Sequence, residues 1–172
     1  LVLFVCLIIA APPVWAKERE IVAILPFSIH SAENIEYIRQ GILNMLTSRL
    51  SGNEKISVVD REKVLGALAG NVGKELAPEA AADLGRKLGA DFLVSGVITK
   101  IGSGVNIDGR LFGVKDAKAP LVVAMQCQSM DEVIPKITDF ARKIDAQLAG
   151  APLPTASAQA NREIIVSRPA AQ

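Results

Sequence analysis

Apolar and polar positions follow two different periods along this chain, and the change from one to the other divides it. Glu20 to Phe27 (EIVAILPF) is a β-branched apolar run ended at Pro26, the pattern of a buried strand. Beyond it Ile35, Ile38, Ile42, Met45, Leu46 and Leu50 recur at spacings of three and four, which predicts an amphipathic helix with Ser31 placed to cap it. Ser51-Gly52-Asn53 ends that helix, with Gly52 the expected left-handed stop. Ile56 to Val59 reads as a second short strand. Asp60 then caps a helix carrying Val64, Leu65 and Leu68. After a loop over Asn71 to Ala77, Pro78 opens a helix, because a first-turn residue needs no N–H, and Gly89 closes it.

From Asp91 the period becomes two. Phe92 to Ile101 reads as a long strand and Gly102-Ser103-Gly104 as a hairpin turn. Val105, Ile107, Gly109 and Leu111 then alternate with Asn106, Asp108, Arg110 and Phe112. Lys115 to Lys118 turns the chain again and Leu121 to Cys127 returns as a further strand. Such alternation suits an antiparallel sheet with one wet face. Ser129 to Glu132 has the spacing of a capping box, and Val133, Ile137, Phe140, Ile144 and Leu148 form one stripe ended by Gly150. Pro135 is awkward inside that helix and marks a candidate start for it. The resulting fold class is α/β, a mixed sheet in the order β-α-β-α-α-β-β-β-α, with the helices expected mainly on one face.

The ends of the chain read differently from its middle. Leu1 to Ala10 is apolar and uncharged, shorter than the about 20 residues a membrane-spanning helix needs. Pro12-Pro13 breaks it, Val14 and Ala16 are the small residues of a cleavage site after Ala16, and charge starts at Lys17. Together these describe a secretory signal peptide over residues 1–16, incomplete at its start. Residues 17–150 form the domain. Residues 151–163 (APLPTASAQANRE) are Ala-, Pro- and Ser-rich like a linker, and Ile164-Ile165-Val166 opens residues 164–172, read as the beginning of a further, truncated module.

Charge and composition remove several functions. Nineteen Lys and Arg against eighteen Asp and Glu leave a net charge of +1, without the clustered basic face that nucleic acid requires. His30 is the only histidine, so neither a histidine-based metal cluster nor a serine–histidine triad can be assembled. Asn71-Val72-Gly73-Lys74 lacks the earlier glycine and the following Ser or Thr of a phosphate loop. Gly102-Ser103-Gly104 precedes no helix and is no dinucleotide site. Adjacent Asp60 and Arg61 read as a cap and a surface contact. Of the two cysteines, Cys6 follows Val5, where a lipid-attachment signal wants a small residue, and Cys127 reads as a buried apolar side chain. No catalytic, cofactor-binding or metal-binding residue emerges.

Several stretches then fall into a known order. Val22-Ala23-Ile24-Leu25-Pro26-Phe27, Val58-Val59-Asp60-Arg61-Glu62, and Ala81 to Ile98 (AADLGRKLGADFLVSGVI) resemble the TolB amino-terminal-like domain and its CsgG-like relatives, named for a curli secretion protein. The resemblance runs from about Ile21 to Leu148. Its shared residues are Leu25, Pro26, Phe27, Asp60, Arg61, Leu84, Gly85, Leu88, Gly89, Asp91 and Gly96, mostly packing and turn residues, so it speaks to fold before activity. It implies envelope functions without catalysis or cofactor: an exported domain that binds or scaffolds an envelope protein partner, ahead of a repeat or propeller module. It implies no contact with nucleic acid and at most peripheral contact with the membrane. A second implied function is a secretion or assembly component that oligomerises, although the short strand connections leave no room for pore hairpins. A third expectation, from the architecture, is a small-ligand cleft near Ser28 to Glu33, beyond the first strand.

Overall fold

The computed structural model describes residues 19–149 except 71 and 116–119. The leader through Ala16, the linker and the 164–172 segment lie outside the described residues. The elements run β1 (Glu20–Ile24), β2 (Ser28–His30), α1 (Glu36–Ser51), β3 (Ile56–Val58), α2 (Arg61–Leu68), α3 (Pro78–Leu88), β4 (Phe92–Ile101), β5 (Gly104–Gly113), β6 (Leu121–Cys127) and α4 (Val133–Leu148), with a 3₁₀ turn at Met130–Glu132. The strands form one mixed sheet ordered β3-β1-β4-β5-β6, and β2 also pairs with β4. β1 runs parallel to β3 and to the first half of β4, while β5 and β6 follow antiparallel.

β2 is the element the sequence pattern does not announce. Pro26 has no N–H for the ladder, so the first run breaks after Ile24 and resumes at Ser28. Ser28, Ile29 and His30 then pair with Val97, Ile98 and Thr99 in the upper half of β4. Residues expected as an open cleft are therefore part of the sheet.

The expected sheet and helix order stand, but the helices divide between two faces rather than gathering on one. Val22, Ile24, Val94, Ile98, Ile107 and Met125 share a buried cluster with the stripes of α1 and α4. Ala23, Leu25, Leu93 and Phe112 pack on the opposite side with Val64 and Leu68 of α2 and Leu84 and Leu88 of α3. The reason lies in β1 and the residue that follows it: Val22 to Leu25 are consecutive, all apolar, and so demand cover on both sides. α2 and α3 supply it over β1 and the lower part of β4. Farther up, Asn106, Ala124 and Gln126 stay exposed on that second face.

The helix ends show where local rules hold. Asp60 accepts the N–H groups of Glu62 and Lys63 and so caps α2. Gly89 takes the left-handed conformation at φ 69°, with N–H bonds from Gly89 to Arg86 and from Ala90 to Gly85 closing a Schellman motif. Four expectations fail. Gly52 stays right-handed at φ −71°, its N–H turned to the Ser48 carbonyl. Ser31 accepts from Glu33 in a local turn, and Asn34 instead accepts the first helical N–H, that of Glu36, at 3.1 Å. α4 starts at Val133, two residues before Pro135, whose missing N–H falls in the first turn where no intrahelical partner exists. No side chain caps α4; the Glu132 carboxylate reaches back to the Gln128 N–H instead.

Both chain ends of the described fold leave from one end of the sheet. Glu20, Lys55, Leu148 and Ala149 line a common depression at the end where β1 begins. The β4–β5 hairpin, the close of β6, and the entries to α1 and α4 lie at the other, because Ile101 opposes Gly104, Val105 opposes Cys127 and His30 opposes Thr99. These are called the lower and upper ends below.

Candidate functional site

The family-pattern residues do not gather at one point; they hold the sheet together. Leu25 donates its N–H to the Val94 carbonyl at 2.8 Å and is buried against α2 and α3. Phe27 crosses to the other face, where its ring fills the space above Gly96. A Cβ at Gly96 would collide with that ring and lie 2.6 Å from the Asp108 carbonyl oxygen. Directly across the ladder Gly109 receives the Phe140 ring in the same way. Paired glycines thus form a notch in the sheet that seats two aromatic rings, one from the β1–β2 connection and one from α4. Gly85 gives equal closeness to Val114 beneath α3.

Asp91 is a junction. Its backbone N–H donates to the Ile21 carbonyl, its carboxylate accepts the Ile21 N–H at 3.1 Å, and its carbonyl accepts from Val114. Lys115 adds an ion pair at 2.9 Å. Burial pushes the Asp91 carboxyl upward, but the Lys115 contact and the Ile21 N–H outweigh it and hold it below the ordinary aspartate value. Arg61 donates to the Gln40 side chain at 2.6 Å, and Gln40 in turn donates to Glu36 at 2.7 Å. That hydrogen bond, with Arg39 beside it, holds the Glu36 carboxyl below its usual range. These contacts tie α1 to the start of α2.

The expected ligand cleft is filled. The Ser28 hydroxyl donates to the Gly73 carbonyl, and Arg110 pairs with Glu75, drawing the α2–α3 loop over the top of β1. The space left between Leu25, Ser28, Leu68, Gly73 and Arg110 is about 10 Å³, one water's worth. His30 stands exposed at the sheet edge. Cys127 is fully buried at the end of β6, where burial first and Glu132 second push its thiol up and Lys136 opposes them. Among the described residues no His, Cys, Asp or Glu cluster is placed to hold a metal, and no helix is long and apolar enough to cross a membrane.

What remains is surface. Six large apolar side chains are exposed among the described residues: Ile21, Tyr37, Val72, Ile101, Val122 and Ile134. Sequence reasoning passed over them. Tyr37 and Ile134 sit off the core-facing stripes of their helices, and Ile101 adjoins a glycine turn; those were the available signals.

The arrangement is a mixed α/β sheet domain with a helix pair on each face and, among the described residues, no concave reactive centre. A scan of known protein families and a search of curated proteins give no match. Solved structures do share the fold. The LpoB C-terminal domain from Escherichia coli superposes with a TM-score of 0.51 at 10% identity, covering 66% of this chain and 85% of that one. Lipoprotein GNA1162 from Neisseria meningitidis gives 0.51 at 15% identity over 75% of this chain and 96% of that one. TolB from Acinetobacter baumannii gives 0.54 at 16% identity over 77% of this chain but 29% of the longer TolB chain. The fold is thus similar to TolB and LpoB.

Proposed function

We propose that this chain is an exported, non-catalytic domain of the bacterial envelope that works by binding or scaffolding another envelope protein. The supporting observation is a fold shared with LpoB, lipoprotein GNA1162 and TolB, joined to a surface with exposed apolar residues and, among the described residues, no built reactive site. The motif resemblance to TolB amino-terminal-like and CsgG-like domains leads the same way, as does the apolar leader ending at Ala16. The Ala-, Pro- and Ser-rich stretch after Gly150 suits a linker to a further module. Chemical crosslinking in intact cells carrying a tagged chromosomal copy tests this reading. A discrete heteromeric adduct of reproducible mass is the expected result. Purified protein that turns over a substrate unaided, or a chain that forms no adduct at any crosslinker length, contradicts it.

A further inference from the structure

A sheet is unfinished at its edges, where a strand turns N–H and C=O groups toward no neighbour. Of the two outer strands here, β3 is 3 residues long and β6 is 7. β6 reads LVVAMQC, with no charge and no proline. It pairs one to one with β5 from Leu121 to Cys127, so no bulge twists it away. The devices that usually protect a long edge are therefore missing from it.

Which groups face outward follows from the hairpin. Gly102, at φ 59°, opens a two-residue turn, so Ile101 and Gly104 exchange both main-chain bonds. At the far end of the same ladder the Val114 N–H donates to the Asp91 carbonyl at 2.9 Å, which keeps the same alternation. Val105, Ile107, Gly109 and Leu111 thus turn their polar groups to β6, where Cys127, Met125, Val123 and Leu121 answer them. Val122, Ala124 and Gln126 point theirs away from the sheet. Among the described residues nothing hydrogen-bonds those groups. Their side chains are exposed too, on the face opposite α1 and α4.

The open stretch is stopped at both ends. Pro120, next in the alternation before Val122, has no N–H to offer. After Gln126, the Gln128 N–H is already held by the Glu132 carboxylate at 2.9 Å. What remains is centred on Ala124 and is its own complement. A second β6 laid antiparallel about a two-fold axis at Ala124 sets Val122 against Gln126 and Ala124 against its image. Each outward N–H then meets an outward C=O, and Pro120 falls opposite Gln128, stop against stop. No like charges oppose each other, and the small Ala124 side chain sits at the axis. A strand of unrelated sequence has no reason to carry both stops at this spacing.

We propose that the chain forms a two-fold dimer by pairing β6 with β6 of a second copy, which joins the two sheets into one. This dimer goes beyond the heteromeric contact proposed above and does not rest on it.

The test uses the full chain at low ionic strength and follows its mass by sedimentation velocity across a concentration series. Wild type should sediment as twice the chain mass. Ala124→Lys and Ala124→Glu each set like charges against their images and should each weaken the dimer about fivefold. Mixed in equal amounts, the two variants should pair with each other and recover at least wild-type affinity, as only a contact that places position 124 against itself can do. Tyr37→Lys, on α1, should dimerise like wild type. The Ala124 N–H lies outside the chain's own ladder, so circular dichroism of both variants should match wild type, which separates lost pairing from lost fold. A wild-type chain that stays monomeric, a dimer that Ala124→Lys leaves intact, or single variants that dissociate without recovery on mixing would overturn the proposal. None of these outcomes touches the heteromeric adduct, which crosslinking in cells reads separately.

Discussion

At the residue scale the fold turns on places where a missing atom or a single carboxylate decides the packing. Gly96 and Gly109 oppose each other so that Phe27 and Phe140 can lie on the sheet. A methyl group at Gly96 has nowhere to go, since one neighbour is a ring packed in the core and the other a backbone carbonyl. Gly96→Ala should cost about 2 kcal/mol, within the range for overpacking, measured as a lower urea midpoint at unchanged slope. Asp91 joins three strands, and Asp91→Ala should cost about 1 kcal/mol at neutral pH. Its carboxyl is held below the ordinary value when folded, so this stability is complete above that value and is lost as pH falls through the folded one. The gap between wild type and variant should therefore begin to narrow as pH falls past about 4 and shrink further only below the lowered folded value of Asp91; a gap unchanged by acid would refute the ionic part of the argument. The need for close approach at Gly96 was legible in the sequence. That Phe27 is what approaches was not, because Phe27 reaches it only after Pro26 breaks the strand.

The existence of elements with local signals was read correctly, although the helix-end signals at Ser31, Gly52 and Pro135 misled; β2, fixed by a distant partner, was not read. β5 announces itself by strict alternation from Val105 to Leu111, and α2 by Asp60 at its start. Replacing Asp60 with Ala should lower stability by about 1 kcal/mol through two orphaned N–H groups, those of Glu62 and Lys63. β2 has no such signal: Ser-Ile-His is a strand only because β4 runs on past Val97 and offers it a ladder. The division of helices between faces was present in the unbroken apolar run of β1, yet the amphipathic stripes of the helices cannot say which face each will take. Cys127 offers a check at this scale. Buried between β6 and α4 and with its thiol held protonated, it should resist alkylation in native buffer and react once β6 and α4 separate. Rapid native labelling would mean that the edge strand opens far more readily than its packing implies.

For the whole molecule, the arrangement of ends matters more than any pocket. The described chain enters and leaves at the lower end, the space near Ser28 is closed by its own loop, and three of the six exposed large apolar residues, Tyr37, Ile101 and Ile134, belong to elements that begin or end at the upper end. None of this was legible beforehand, since Tyr37, Ile101 and Ile134 lie 33 or more positions apart and only the topology brings their elements to one end. A fold this widely shared does not by itself name an activity. The account depends on the domain being carried out of the cytoplasm to meet its partner. The most direct test is fractionation of cells producing the tagged chromosomal protein, with mass spectrometry of its amino-terminal peptide. The account requires protein in the envelope fraction with a mature terminus at Lys17. Protein retained in the cytosol with Leu1 to Ala16 still attached would contradict it.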